Sequence, residues 1–249
     1  MPLEQFQILP IFTFFGFSIT NQTVIILLTF LFSCYLYLSI VGFSQKKLVG
    51  FYVLPYSFQI VVESVYGLIV SLVTDNVQNP KNKFFVSLVY SLFFFLLSSN
   101  LLGLIPYSFT TTSHIAVTLG LALSTFFGIN LIGIKKHKLN FFSILLPPGT
   151  SVALSFLLVP IELISFVFKP ISLSIRLFAN MMAGHTLLKV IAGFGYTLMS
   201  ASGSLFLLHI FPLLLLVPLF FLELGVAIIQ SFVFSILICI YINDALNLH

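Results

Sequence analysis

Charged side chains are scarce in this sequence. Only 6% of its 249 residues are Asp, Glu, Lys or Arg, and 59% are hydrophobic, whereas a soluble domain carries about 25% charged residues. The formal net charge of +4 comes from a few basic residues that fall between apolar segments, which excludes a nucleic-acid-binding surface. The composition therefore indicates a polytopic membrane protein.

Cysteine is rare and tryptophan is absent. The two cysteines, Cys34 and Cys239, lie in apolar runs at opposite ends of the chain, so the sequence offers neither a disulfide framework nor a cysteine metal site. Residues 1–10 contain Glu4 and lack a basic segment, which argues against a cleavable signal peptide. We expect free thiols, no metal and no cofactor.

Apolar runs of the length that crosses a bilayer recur along the chain. About twenty apolar residues span a ~30 Å hydrocarbon core, and residues 23–43, 84–105 and 114–134 each fit. Residues 51–75 differ, because polar groups recur there at the spacing of one helix face. These groups are Tyr56, Gln59, Glu63, Tyr66 and Thr74. An amphipathic helix of this kind lies at the membrane interface.

An interfacial helix at 51–75 also simplifies the distribution of charge. Because that segment does not cross, most of the ten basic residues collect on one side of the membrane, as the positive-inside tendency expects. They are Lys46, Lys47, Lys81, Lys83, Lys135, Lys136 and Lys138.

Two longer apolar runs follow, at 148–197 and 204–246. A helix over the first run is more than twice as long as the hydrocarbon core is thick. Because no polar turn divides it, we expect one strongly tilted helix, kinked at Pro160 and Pro170. The sequence thus predicts an all-α, polytopic, single membrane domain over 1–249. It has a lead-in at 1–22, about five transmembrane helices, one interfacial amphipathic helix, and the last two helices as a tilted antiparallel hairpin.

One arginine lies within the first long run. Arg176 is the only arginine of the chain, and the sequence around it is apolar. A guanidinium at mid-membrane costs at least about 2.5–3.5 kcal/mol to insert, and arginine does not lose its charge as a buried lysine does. Arg176 is therefore the first candidate functional residue, whereas Lys169 and Lys189 are interpreted as interhelical or snorkelling lysines.

Each long run carries a polar stripe. In the first, Glu162 and Arg176 share a helix face, with Asn180 one turn further. If the two runs fold back at Gly203, three pairs lie at equal or nearly equal distances from the turn: Glu162 with Asp244, Arg176 with Gln230, and His185 with Glu223.

These pairs suggest a route for protons. Carboxylates and imidazoles exchange protons, whereas an amide only relays or orients water. A titratable pair on each side of a fixed cation predicts two half-channels that do not join. A mobile carboxylate on a partner must then carry the proton around the cation. His114 is interpreted as a headgroup-level histidine instead.

At this point the sequence closely resembles subunit a, or subunit 6, of F-type ATP synthases. The resemblance covers nearly the whole chain and is densest in NLLGLIPYS at 100–108, ISLSIRLFANMMAGH at 171–185 and LELGVAIIQ at 222–230. The order of His185 and Glu223 is similar to that of mitochondrial members.

The resemblance implies a role for each candidate residue. Arg176 would face the carboxylates of a rotating ring of c subunits, blocking a direct leak and driving deprotonation. The entry half-channel would be lined by Asn180, His185, Glu223 and Gln230, and the exit half-channel by Glu162 and Asp244.

The resemblance also implies a setting. The chain would lie in the mitochondrial inner membrane, with its C-terminus and lysine-rich loops in the matrix, beside the c-ring, peripheral-stalk subunits and lipid. It would catalyse no bond chemistry itself. The alternatives are a secondary transporter, which the lack of an internal repeat disfavours, and a structural anchor, which needs no unpaired arginine.

Overall fold

The computed structural model describes residues 6–14, 17–45, 57–77, 82–105, 108–138, 141, 152–200 and 208–247. Within these ranges the chain is almost entirely helical, which confirms the all-α class. The helices are α1 (Asn21–Gln45), α2 (Ser57–Asn76), α3 (Asn82–Gly103), α4 (Ile115–His137), α5 (Val152–Ser200) and α6 (Ile210–Leu246). A 3₁₀ turn, Thr111–Ser113, precedes α4.

The helices have the lengths that a multi-pass membrane protein requires. By length and composition, four helical segments of the described residues can cross a membrane: Phe85–Gly103, Ile115–His137, Ser155–Ser200 and Ile210–Leu246. Helix α1 has 25 residues, a length of about 37 Å, and its segment Asn21–Leu36 is apolar. Multiple membrane crossings are therefore confirmed.

Helix α5 is one continuous helix of 49 residues that runs through Pro160 and Pro170. Prolines are tolerated in membrane helices because neighbouring groups satisfy the freed backbone carbonyls. The expectation of one long helix, rather than two crossings joined by a turn, is confirmed. The connection at 201–207, which includes the expected turn at Gly203, lies outside the described residues.

Helix α3 lies at the centre of the core. Its side chains Val89, Tyr90 and Leu96 are fully buried, and they belong to the same apolar cluster as Phe234 and Ile238 of α6. Tyr90 also packs edge-on against Tyr66 of α2 and contacts Phe94 at a tilted angle. This central packing fixes α6, which carries half of the candidate site, against the rest of the chain.

Helix α2 has one buried face and one exposed face. Val62, Ile69 and Val73 are buried against the core, whereas Glu63 and Thr74 are exposed. The polar stripe expected from the sequence therefore faces outward over the residues described. Its first members, at 56 and 59, lie outside the described side chains.

The lead-in contains a short β-hairpin that hydropathy did not indicate. Strands β1 (Pro10–Phe14) and β2 (Phe17–Thr20) pair antiparallel. Asn21, the first residue of α1, ties the hairpin to the helix: its Oδ1 accepts hydrogen bonds from the backbone N–H groups of Leu9 and Gln22. A hairpin this short is marginal alone, so these contacts stabilise it.

The C-terminal ends of α4 and α6 meet. Lys136 Nζ donates a 2.7 Å hydrogen bond to the Leu246 carbonyl oxygen, and His137 Nε2 lies 2.8 Å from the same atom. A Cβ on Gly133 would lie 3.1 Å from the Ala245 carbonyl oxygen, so glycine permits the close approach. The lysines at the end of α4 thus lie on the same side as the end of α6. Lys46, Lys47 and Lys81 are outside the described residues.

Candidate functional site

Three polar contacts join α5 and α6 at successive levels. Because their α5 numbers rise while their α6 numbers fall, the two helices are antiparallel. The contacts are Lys169 Nζ to Asp244 Oδ2 at 3.6 Å, Asn180 Nδ2 to Gln230 Oε1 at 3.0 Å, and His185 Nε2 to Glu223 Oε1 at 3.5 Å.

The level nearest the turn is buried. The side chains of His185 and Glu223 are only 8% and 4% exposed. Among the described residues, neither Glu223 oxygen nor His185 Nε2 has a hydrogen-bond partner. Buried polar atoms without partners are costly, so this level is suited to water or to a proton in transit.

Gly184 allows Glu223 to reach this position. A Cβ at residue 184 would lie 2.7 Å from Glu223 Oε1 and 2.9 Å from its Cδ, which is closer than real Cβ contacts allow. The carboxylate therefore rests directly against the α5 backbone. This role of Gly184 was not predicted from the sequence, although Gly184 directly precedes His185 in the segment 171–185 that resembles the family.

The middle level consists of amides. Asn180 binds Gln230, whose Nε2 is buried without a partner among the described residues. Asn100 of α3 donates a 3.3 Å hydrogen bond to the Ala227 carbonyl oxygen, and its own Oδ1 is likewise unpartnered within the described chain. Asn100 thus adds a third amide to this level. Its role was not predicted from the sequence, where Asn100 was noted only as part of the segment 100–108.

A cavity of about 190 Å³ opens beside these two levels. Since one water needs about 10–15 Å³ of such space, the cavity is large enough for several waters. Its lining is Asn180, Ala183, Gly184, Leu187, Leu188, Leu219, Leu222, Glu223 and Val226. Asn180 and Glu223, one from each of the two inner levels, therefore border the same cavity.

Arg176 does not line this cavity. It is exposed on α5 beside exposed Ile175, whereas Leu173 and Leu177 are buried. In the part of the chain that the structure describes, no carboxylate lies within ion-pair distance of Arg176. The expected level of Arg176 with Gln230 is replaced by Asn180 with Gln230, one turn along α5.

The outermost level also differs from expectation. Asp244 contacts Lys169 rather than Glu162, and Glu162 is half-buried nearer the start of α5. The difference arises because the prediction assumed that both helices advance by the same number of residues from one level to the next. Gly195 packs against Pro212 near the turn. From that contact to the contact of Lys169 with Asp244, α6 advances by more residues than α5. Only His185 with Glu223 keeps its expected partner.

Comparison with known proteins identifies the family. A family model described as ATP synthase A chain matches residues 17–243. The chain belongs to this family. ATP synthase subunit a of Chondrus crispus is 47% identical over 253 residues, covering 100% of this chain and 96% of the relative. The same subunit of Pylaiella littoralis is 48% identical over 252 residues, covering 100% and 98%, and that of Marchantia polymorpha is 47% identical over 255 residues, covering 100% and 98%.

Family membership gives the general role of the chain. It is a multi-pass, proton-translocating subunit of the membrane sector of an ATP synthase, where it assembles with other subunits.

Proposed function

We propose that the chain conducts protons through two offset half-channels, to and from carboxylates on a rotating ring of c subunits. The entry half-channel is lined by Asn180, His185, Glu223 and Gln230, and the exit half-channel by Glu162 and Asp244. The chain forms one membrane domain and catalyses no bond chemistry itself. Catalysis of ATP synthesis belongs to other subunits of the complex.

The observation that carries this proposal is the exposure of Arg176 on α5. A permanent cation there, without a carboxylate partner in the described chain, calls for an anion from outside. An opposite charge favours the ionised form of a carboxyl group. A passing ring carboxylate therefore releases its proton near Arg176, and the cation repels any proton that would cross directly.

The two polar ends of the α5–α6 pair supply the proton routes. The His185–Glu223 level and its cavity deliver protons to the ring, and Asp244 with Glu162 receives them on the other side. Arg176 lies between these two ends along α5 and its charge bars direct passage, so the ring carries the proton between them. Rotation of the ring is coupled to proton flow by this separation.

The setting follows the same reasoning. We place the chain in the mitochondrial inner membrane, with the C-terminus and the lysines at the end of α4 in the matrix. The contact of Lys136 and His137 with Leu246 supports a common side for these two ends. Peripheral-stalk subunits complete the surroundings.

Replacement of Arg176 tests the function. In the assembled ATP synthase reconstituted in liposomes, R176A is expected to retain ATP hydrolysis and to lose ATP-driven proton pumping, because nothing then separates the half-channels. Lys189→Ala, which removes an exposed cation from the same helix, is the matched control and is expected to pump. Undiminished coupled pumping by R176A would refute the mechanism.

A further inference from the structure

Lys169 lies on α5, sixteen residues before His185, and is surrounded by side chains of two helices. Its ammonium nitrogen is 3.6 Å from Asp244 Oδ2. The same nitrogen lies 5.9 Å from the ring centroid of Phe166 and 5.6 Å from that of Tyr241. Both distances fall within cation–π range. The ammonium is thus held by one carboxylate and two aromatic faces.

A second, much smaller cavity adjoins this group. Its volume is about 20 Å³, which accommodates a single water molecule. Polar side chains approach it from three helices, so a water there finds the two to four partners that it needs. Its lining is Phe126, Asn130, Phe166, Lys169, Tyr241, Asp244 and Ala245.

The group is also connected electrostatically to the centre of the proposed route. Tyr241 lies within electrostatic range of both Arg176 and Asp244. Lys169 and Arg176 are two helical turns apart on one side of α5. The Tyr241 hydroxyl, the Asp244 carboxylate and the small cavity therefore lie between Arg176 and the proposed exit. Lys169 contacts the Asp244 carboxylate.

A role for Lys169 as a purely stabilising ion-pair partner does not account for this arrangement. The Lys169 and Asp244 side chains are 30% and 40% exposed, and ion pairs at such exposure contribute little to stability. The lysine is also unsuited to carry the proton itself, because an ammonium has three donors and no acceptor. Its contacts are instead those that fix the orientation of a neighbouring carboxylate.

We propose that Lys169 is a positioning residue of the exit half-channel: it holds the Asp244 carboxylate at the one-water cavity, where the carboxylate exchanges a proton with that water. The water receives a proton from the ring side and passes one on to a carboxylate oxygen of Asp244, so it is left neutral. The carboxyl group then releases that proton to the aqueous side, and no group is oxidised or reduced. This inference rests on the proposed function, which assigns Asp244 to the exit.

Charge and length variants in the assembled, reconstituted ATP synthase test the proposal. K169M keeps the length of the side chain and removes its charge, and we expect ATP-driven pumping per assembled complex to fall about tenfold, since misplacing a reacting group slows transfer. K169R is expected to restore most of the rate, which a role in packing alone does not predict. Lys189→Met, the same change elsewhere on α5, is expected to pump normally.

A double variant shows whether Lys169 acts through Asp244. In a D244N background, K169M is expected to cause no further loss. Normal pumping by K169M, or a full additional loss in the double variant, would overturn the proposal. If K169M assembles poorly on native gels, K169Q replaces it with the same expectation. Uncoupling in R176A together with a silent K169M refutes only the role of Lys169, whereas coupled pumping in R176A refutes the proposed function itself.

Discussion

The two ends of the α5–α6 pair hold their acidic residues in opposite ways. Glu223 is buried, has no hydrogen-bond partner among the described residues and borders a cavity of about 190 Å³. Asp244 is 40% exposed, is paired with a lysine and borders a cavity of about 20 Å³. One acid lies beside an imidazole and the larger cavity, and the other beside a lysine and the smaller cavity.

In the proposed function, the two half-channels are therefore not mirror copies. At one end a buried acid lies beside a histidine, whereas at the other Asp244 is paired with Lys169. Variants of the buried level test this contrast.

The largest effect is expected from the buried acid. General acid–base groups contribute about 10²–10⁴-fold to proton transfer, so E223Q is expected to reduce pumping by at least about a hundredfold, and H185A by a similar factor. The exchange variant H185E/E223H keeps one carboxylate and one imidazole at this level and is expected to pump faster than either single variant. Pumping is measured by quenching of a pH-sensitive dye at matched complex content.

The matched control for these variants is E63Q, which removes a carboxylate from the exposed face of α2 and is expected to pump normally. An exchange variant no better than E223Q would show that the two residues do not act as a pair. The proposed difference between the Glu223 end and the Asp244 end of the helix pair would then be unsupported.

A smaller effect is expected at Gly184. Because a new Cβ would lie 2.7 Å from Glu223 Oε1, G184A displaces the carboxylate, and a shift near 1 Å costs up to about a hundredfold in rate. We expect about a tenfold loss of pumping, with normal ATP hydrolysis. Gly193 offers the control, since a Cβ there meets nothing within 4 Å. Equal rates for G184A and G193A would contradict the position of Glu223.

The smallest effect is expected at Asn100. Replacing it with leucine removes the donor to the Ala227 carbonyl and one unpartnered acceptor, and a neutral hydrogen bond is worth about 0.5–1.5 kcal/mol. N100L is therefore expected to slow pumping only a few-fold. Thermal stability of the complex is measured alongside. A loss as great as that of E223Q would make Asn100 a main member of the route.

Most of the helical architecture is predictable from the sequence. Long apolar runs and scarce charge define the spans, and the lack of a polar turn near Pro160 and Pro170 predicts the continuity of α5. The pairing of His185 with Glu223 is predictable because both lie near the turn, where errors in register are still small.

The features that were not predicted depend on three-dimensional details, such as small differences in helix advance that add up along the chain. Lys169 replaces Glu162 as the partner of Asp244 because the offset between α5 and α6 grows away from the turn. The role of Gly184 depends on a backbone approach that no side-chain pattern reveals. The β-hairpin before α1 depends on Asn21, whose side chain makes contacts with residues twelve and fourteen positions earlier.

The length of α5 has a mechanical consequence. Its 49 residues measure about 73 Å, so within a ~30 Å hydrocarbon core it fits only at a steep slant. Lys169 and His185 are about 24 Å apart along that axis, and much of this distance lies parallel to the bilayer. In the proposed function, a proton taken up near one residue and released near the other is therefore displaced sideways, and the ring that carries it must move along an arc. The slant of α5 would then turn a proton gradient across the membrane into torque within its plane.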